Sequence, residues 1–414
     1  MIIFYKKYKI EIEYLNFMEK VLLLYSGGLD TSVMVKWIQE KLKKDVVTLT
    51  LNIGNSNLKE IQEKAFSLGV SDAIVADVKN EFADEYIKKE IYADGFYQDY
   101  PLSTAIARPL MAEKAVNYAE EYGCNTIAHG STGKGNDQVR FEVTIKALNE
   151  SINVIAPIRD WNMNRVEELS YAKSNGIYIS KNGKYSVDEN LWGRSVEGST
   201  IENISSPLEN DVYEWVTPLE KCDDSGMDLK LSFKEGVPVS INNINYDLVE
   251  ITEKLNQIAG SNGIGLINHI EDRVTGIKSH EVYECPAAVL ILKAHKMIES
   301  LTLNKNEMDV KNYLDYQWSN NVYNGLWYDP VMEHINAFEN SINKYINGDI
   351  SLKLYKGNII MKSIGSDNSM YDYNTITYDN SLFDQNSGKG FIDIFKNNTV
   401  IGNSSRKEKL KVIQ

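Results

Sequence analysis

Val21-Leu22-Leu23-Leu24-Tyr25-Ser26-Gly27-Gly28-Leu29-Asp30-Thr31-Ser32 is an apolar run that breaks into glycine, hydroxyl and carboxylate residues and then into a helical period. The first five residues suit a strand buried on both faces of a parallel sheet, where side chains need no polar alternation. From Thr31 onward, Val33, Met34, Trp37, Ile38 and Leu42 fall on one helical face. Strand, loop and helix follow in that order. Gly27 and Gly28 are expected to turn through positive φ and to bring backbone N–H groups and a helix N-terminus close to a ligand, which such a loop requires to be an anion. Ser26, Thr31 and Ser32 add hydroxyl donors, and Asp30 a carboxylate suited to Mg²⁺ between phosphate oxygens. No Lys follows the glycines, so this is not a Walker A loop. A lone Gly-Gly pair would need no more explanation than a tight turn before a helix; here polar residues crowd around it.

Outward from this stretch, strand-like runs alternate with helical periods as far as about Ile158. Strands are expected at Val21–Tyr25, Val46–Ile53, Ala73–Asp77, Thr126–His129 and Val154–Ile158. The intervening patterns (Leu58, Ile61, Ala65; Phe82, Tyr86, Ile87; Ala112, Ala115, Val116, Ala119; Val139, Val143, Ala147) have helical spacing. The economical fold is α/β, a doubly wound parallel five-stranded sheet. Ligands then collect at the carboxyl ends of the strands, so the loops after Tyr25, Ile53 and His129 should share a crevice.

The loop after the fourth expected strand repeats the composition of the first. His129-Gly130-Ser131-Thr132-Gly133-Lys134-Gly135-Asn136-Asp137-Gln138-Val139-Arg140-Phe141-Glu142 offers three glycines, a Lys and several hydroxyl and amide groups ahead of a helix. Asp137 suits an ammonium and Arg140 a carboxylate, so an amino acid fits here as well as a phosphate. A flexible glycine loop with a capped helix start would account for this stretch alone; two anion-suited loops in one sheet favour a site.

The bulk composition narrows the class. At 414 residues the chain has room for two or three domains. A formal net charge of −14 argues against nucleic acid as a partner. No apolar stretch reaches the ~18 residues of a membrane helix, so a membrane partner is not expected either. Cys124, Cys222 and Cys285 are far apart and lack zinc spacing, as do the five histidines at 129, 269, 280, 295 and 334. Met1 to Phe17 mixes Lys and Glu throughout, unlike a signal or transit peptide, so a cytoplasmic location is the default and Met18 the expected natural start.

SGGLDTS matches the signature of the PP-loop ATP pyrophosphatases, which cleave ATP between the α and β phosphates. Joined with YPLSTAIARP (Tyr100 to Pro109) and HGSTGKGNDQVRFE, it resembles the argininosuccinate synthase family. The resemblance continues through Tyr185 to Ser195 (YSVDENLWGRS), Gly236 to Val239, Gly263 to Gly265 and Glu271 to Glu284, and it covers the chain from about Lys20 to Phe391. It implies ATP-dependent joining of citrulline and aspartate to argininosuccinate in arginine biosynthesis, through a citrullyl-AMP intermediate, with AMP and pyrophosphate as products. By matching position it puts ATP on Leu24, Tyr25, Ser26, Gly27, Gly28, Leu29, Asp30, Thr31 and Ser32, on Leu51 and on the Gly130 loop. Mg²⁺ goes to Asp30, and Asp30, Ser26 and Lys134 form the catalytic set. Aspartate is assigned to Thr132, Asn136 and Asp137. Citrulline is assigned to Tyr100, Asn136, Arg140, Ser186, Ser195, Glu271 and Tyr283. Rival readings are another AMP-forming PP-loop ligase, or an ATP-binding relative without turnover.

The resemblance also implies an α+β synthetase and multimerisation domain over 177–365 after a nucleotide-binding domain over 20–176, then a C-terminal arm over 366–414 that builds a homotetramer. From the residues alone, the YSVDENLWGRS segment reads as an exposed loop, Glu271 as a surface acid, Tyr283 as a half-buried aromatic, and Ser366 to Gln414 as a partly ordered tail. Ala287–Ile298 reads as a core helix or strand and Leu352–Ile360 as a hairpin turning at Lys356-Gly357-Asn358. This chain departs from the family's pattern in three places. Ala105 stands where many relatives have Ser, so that one citrulline contact is lost or moved to Thr104; Gly176-Ile177-Tyr178 lacks a common Pro; and residues 1–19 are an extension.

Overall fold

The structure is a computed structural model that describes residues 19–54, 57–161, 163, 165–178, 184–379 and 381–413. The expected Met18 start and the extension before it lie outside the described residues. The apolar run forms β1 (Lys20–Leu24), the centre of a parallel sheet. β2 (Asp45–Asn52), β3 (Asp72–Asp77), β4 (Cys124–Ala128) and β5 (Asn153–Ile155) complete the order β3-β2-β1-β4-β5. The last strand stops short of Ile158 because Pro157, with no N–H for the ladder, opens the short helix Pro157–Asp160. Helices α1 (Leu29–Trp37), α2 (Leu58–Ser67), α3 (Ser103–Glu121) and α4 (Asp137–Leu148) flank the sheet.

Both faces of β1 are covered, as a doubly wound sheet requires. Leu22 and Leu24 join Val47, Leu49 and Leu51 with Ile106 and Leu110 of α3 in one core. Val21 and Leu23 join Val46 with Val33, Met34 and Ile38 in another. Leu42, expected on the core face, is 37% exposed. The backbone over Ile38–Leu42 widens into π-type bonding, loses the 3.6-residue phase and ends at Lys43 with φ 55°. Chain order reverses between β1 and β4, and the crevice outside that reversal is where such sheets bind ligands.

An antiparallel four-stranded sheet follows: β6 (Ser186–Asn190), β7 (Gly193–Glu197), β8 (Leu266–Asp272) and β9 (Lys278–Glu284), in the order β8-β9-β7-β6. The segment read above as a loop is therefore the β6–β7 hairpin. Asn190 Oδ1 accepts from Trp192 N at 2.8 Å and fixes the turn, and Trp192 is fully buried beneath it. A five-stranded antiparallel sheet uses Met227–Lys234, Val237–Ile241, Ile244–Asn245, Gly348–Tyr355 and Asn358–Gly365, so the expected hairpin is present. Residues 287–298 are helical, inside Pro286–Thr302. None of the helices among the described residues is long and apolar enough to cross a membrane.

By packing, one unit ends at Asn368 and a second begins at Ser369. The second holds the helices Gln385–Phe395 and Asn397–Ile413, where composition alone indicated a partly ordered tail. Asp384 caps the first by accepting from Asn386 N at 3.0 Å, and Phe391 stacks on Phe395 one turn on, with centroids 5.1 Å apart.

The helix Lys305–Tyr323 carries a fully buried cation. Lys311 Nζ donates to Tyr92 O (2.6 Å) and Asp315 Oδ1 (2.8 Å), and lies 2.9 Å from Glu299 Oε1 and 3.2 Å from Glu339 Oε2. Lys296 and His295 neutralise the outer side of the same cluster through Asp94, at 2.7 and 3.0 Å. Removing the central cation leaves buried carboxylates facing one another. Lys311→Met is expected to destabilise the fold by roughly 3–5 kcal/mol, the cost of uncompensated buried charge. A urea midpoint unchanged from the parent chain would refute this.

Candidate functional site

The loop after β1 is braced by its own hydroxyls. α1 begins at Leu29, two residues before its apolar period indicated, because Gly28 is its N-cap: φ −67°, ψ 179°, with its carbonyl accepting Ser32 N at 3.2 Å. Only Gly27 has positive φ, +76°; Gly28 is extended, a conformation open to any residue. Ser32 Oγ donates to Gly28 O at 2.6 Å and lies 3.2 Å from Tyr25 Oη, while Ser26 Oγ and Thr31 Oγ1 are 3.2 Å apart. Leu24, Tyr25, Leu29 and Leu51 are buried, so they support the loop from the sheet. Ser26 and Gly28 are exposed and Asp30 is half-buried in the first turn of α1.

The three loops gather at the carboxyl edge. A Cβ on Gly130 would lie 3.3 Å from Thr31 Cγ2 and 3.5 Å from Met34 Sδ, so the loops after β1 and β4 are neighbours. After β2, Ile53 O accepts from Leu191 N at 2.7 Å, and Gly54 (φ +114°) sits where a Cβ would come within 2.6 Å of that nitrogen. Glycine is required there on both counts.

The Gly130–Asn136 loop is not loose. Lys134 O accepts from Thr275 Oγ1 (3.1 Å) and from Arg273 (3.4 Å), while the Lys134 side chain and Thr132 are exposed. Asn136 is buried; its Oδ1 accepts from Val274 N at 2.9 Å and its Nδ2 donates to Tyr323 Oη at 2.9 Å. Tyr323 donates in turn to Asp272 O at 2.9 Å and stacks on Tyr97, with centroids 3.5 Å apart. Arg140 donates to Tyr323 O and to Asp137 Oδ1, each at 3.1 Å. The far side of Asp137 accepts from Arg108 Nε at 2.9 Å. Burial alone would raise Asp137, but Arg108 and Arg140 outweigh it and hold the carboxyl below the usual carboxylate range.

Alternation on the four-stranded sheet builds the other wall. Register pairs Tyr283 with Ser195, Ser195 with Asp188, and Glu271 with Ser279. With a side-chain period of two, Ser186, Asp188, Ser195, Glu197, Ser279, Glu281, Tyr283 and Glu271 share one face. Ser186 lies at its exposed outer end, while Glu271 and Tyr283 are 2% and 3% exposed, not the surface acid and half-buried ring of the bare residue reading. Tyr100 stacks on Tyr283 with centroids 4.1 Å apart. Tyr283 Oη reaches Glu281 Oε2 (2.8 Å) and Glu271 Oε2 (3.1 Å). One phenolic proton cannot serve two carboxylates. Burial, with the Glu281 charge adding to it, pushes Glu271 up to about 7, while Arg140 opposes the shift. Thr104 Oγ1 donates to Asp188 Oδ2 at 3.1 Å, and Ala105 is buried in the apolar core.

The predicted residues Tyr100, Asn136, Asp137, Arg140, Ser195, Glu271 and Tyr283 are thus linked through stacking, register and shared hydrogen bonds. Arg108, Asp188, Glu281, Arg273 and Tyr323 belong to the same network and escaped the sequence reading. Arg108 and Asp188 lay inside quoted motifs, each with a charge that a buried partner would explain. Tyr323, among the many Tyr and Asn residues of 312–324, carried no local signal.

Two family models match the chain. One described as "Arginosuccinate synthase N-terminal HUP domain" covers residues 20–178, and one described as "Arginosuccinate synthase C-terminal domain" covers 185–401. The chain is 64% identical over 390 residues to the argininosuccinate synthase of Picrophilus torridus, covering 94% of this chain and 98% of the relative. It is 58% identical over 383 residues to that of Thermoplasma volcanium, covering 92% and 96%. With that of Bacillus subtilis it shares 42% over 402 residues, covering 95% and 99%.

The geometry makes Tyr323 Oη the hub joining α4 to the β8–β9 turn. Tyr323→Phe strands Asn136 Nδ2, while Asp272 O keeps its bond from Tyr97 Oη at 3.0 Å, and the change is expected to cost about 1–3 kcal/mol, the penalty of one unmade buried hydrogen bond. Combined with Asn136→Ala in a double-mutant cycle, the two changes should be non-additive by roughly 0.5–3 kcal/mol. Additive urea midpoints would separate the two side chains.

Proposed function

Because this chain belongs to the argininosuccinate synthase family, we infer that it joins L-citrulline to L-aspartate at the expense of ATP, giving argininosuccinate, AMP and pyrophosphate. The observation that carries this reading is the chain of neighbours from the glycine loop after β1, through Gly130 beside Thr31, to the loop after β4, whose Asn136 is tied to the turn of the polar-faced β6–β9 sheet. A ureido carbon has no good leaving group. Its oxygen therefore attacks the α-phosphorus of ATP, pyrophosphate departs, and citrullyl-AMP carries AMP as the leaving group. The aspartate amine then adds to the carbon, loses a proton and expels AMP. Such a reaction needs positioning and charge neutralisation more than a protein nucleophile.

We assign the phosphates to the backbone of 26–32 and to Gly130, with Leu24, Tyr25 and Leu51 behind them. Asp30 and the Ser26 and Thr31 hydroxyls offer the hard oxygen donors that Mg²⁺ takes, and the ion would supply neutralisation of the leaving pyrophosphate. Ser26 and Lys134 complete the set nearest the phosphates. Thr132, Asn136 and Asp137 would hold aspartate; Asp137, kept ionised by Arg108 and Arg140, is supported as an ammonium acceptor. Citrulline would lie along Tyr100, Asn136, Arg140, Ser186, Ser195, Glu271 and Tyr283, with Glu271 taking its ammonium. Thr104, engaged on Asp188, would act on it through that carboxylate. We further propose a nucleotide-binding domain over 20–176, a synthetase domain over 177–365, an arm over 366–414 whose exposed Phe391, Ile392, Ile394 and Phe395 pack between subunits of a homotetramer, and residence in the cytoplasm.

Incubation with ATP, citrulline and aspartate should yield argininosuccinate, AMP and pyrophosphate in equal amounts; ATP binding without citrulline-dependent pyrophosphate would instead mark a relative without turnover. Glu271 adds a pH signature. It accepts an ammonium only when ionised, and its carboxyl titrates at about 7 beside Glu281, Arg140, Tyr100 and Tyr283. Affinity for citrulline should therefore fall as the pH drops through about 7. Glu271→Gln should weaken citrulline and flatten that limb while leaving KM for ATP unchanged, and a retained limb would assign the titration elsewhere.

A further inference from the structure

The glycine loop contains no cation, yet one reaches it from α2. Lys64 Nζ donates to Gly27 O at 2.6 Å. One helical turn earlier, Ile61 packs against the same residue, where a Cβ on Gly27 would lie 3.0 Å from Ile61 Cγ1. An apolar and a cationic group of one helix face thus hold the loop at its positive-φ residue.

The setting of this ammonium is unlike that of its neighbours. Lys59, on the same helix, is 89% exposed and pairs with Glu63 at 3.9 Å, an ordinary solvated pair. Lys64 is half-buried, and burial pulls its pKa down. Among the described residues it has no carboxylate partner, and Gly27 O is its one hydrogen-bond acceptor. An ammonium carries three donors, and a partly desolvated cation against a single neutral carbonyl is under-compensated. The missing charge belongs where the exposed residues Ser26 and Gly28 meet the N-terminus of α1, a place shaped for an anion. The hydroxyls of Ser32, Ser26 and Thr31 carry no charge and lie in hydrogen bonds within the loop. A second source of positive charge for a polyphosphate is therefore needed, and Lys64 stands beside it.

We propose that Lys64 is a pyrophosphate-binding residue: held at the Gly27 carbonyl, its ammonium contacts the β- and γ-phosphate oxygens of ATP and the pyrophosphate released from them. This rests on the reaction inferred above and adds a residue from outside the glycine loop. It gives the loop the cation that a Walker A sequence would carry within itself.

The test is calorimetric titration of inorganic pyrophosphate with Mg²⁺ onto the full chain and its variants Lys64→Gln, Lys64→Arg and Lys59→Gln. Gln keeps an N–H for Gly27 O but loses the charge, and Arg keeps the charge. Lys64→Gln should weaken pyrophosphate roughly ten- to a hundred-fold, the loss of a charge-assisted hydrogen bond. Lys64→Arg should recover most of that affinity and Lys59→Gln should match the parent chain, with melting temperatures unchanged throughout. Parent-like binding by Lys64→Gln, equal losses in Lys64→Gln and Lys64→Arg, an equal loss in Lys59→Gln, or no pyrophosphate binding by the parent would overturn the proposal. Argininosuccinate formation by the parent is followed separately. Its absence alongside the expected Lys64 pattern would remove the amino-acid assignment and leave the phosphate site standing.

Discussion

The arrangement depends on compensating charge at the seam between the parallel sheet and the four-stranded sheet. Arg108 is 8% exposed and lies between Asp137 at the start of α4 and Asp188 on β6, with Oδ2 atoms 2.8 and 2.5 Å from its Nη2. An unpaired guanidinium at that depth would be strongly unfavourable. The pairing therefore fixes where β6 docks on α3 and α4. Once β6 is placed, register carries the consequence across β7 to β9 and positions Ser195 and Tyr283.

Arg140 and Tyr323 extend the same constraint toward the helical side. Arg140 sits over the Tyr323 ring, 4.9 Å from its centroid, while bonding the backbone carbonyl of that residue. Tyr323 ends the helix whose buried Lys311 is tied to Glu299, Asp315 and Glu339. Stability and site geometry are thus linked through one helix, so loosening the buried cluster would be felt at Asn136. Gly325 belongs to this linkage: at φ +79°, a Cβ there would come 2.9 Å from the Arg140 Cα.

Much of the nucleotide half was legible because its signals are local. Five apolar runs, separated by helical periods, specify a parallel sheet, and glycine with hydroxyl residues at two strand ends mark loops suited to an anion. The errors there were also local: Leu42 turned outward where the helix widened, and Gly28 proved to be a helix cap and not a positive-φ turn. The polar face of the four-stranded sheet was singled out only by resemblance. Its polar residues alternate along strands whose other face is partly open to solvent, Val187 and Ile270 among the exposed residues, and alternation of Ser, Asp, Glu and Arg looks the same as a solvated surface until the partner is known. Glu271 illustrates the difficulty, since nothing within several residues of it announces the Tyr283 and Arg140 that surround it.

That contrast follows from what each substrate demands. A polyphosphate is recognised by charge and by N–H groups, which any backbone supplies once the loop geometry is right, so a short contiguous stretch suffices. An amino acid asks for an acid, a base and shaped apolar flanks at fixed mutual distances, and no single element presents all three. The antiparallel sheet meets the demand by gathering side chains from four strands onto one face, while α3 and α4 bring Thr104, Arg108, Asp137 and Arg140 to its edge. Asn136 stands where the two strategies join: its backbone belongs to the glycine loop, and its amide is spent on Val274 and Tyr323. The glycine loop after β4 is thereby tied to the four-stranded sheet through a buried side chain, with Thr275 and Arg273 on Lys134 O beside it, so under the assignment proposed above a change at Asn136 should act on both substrates.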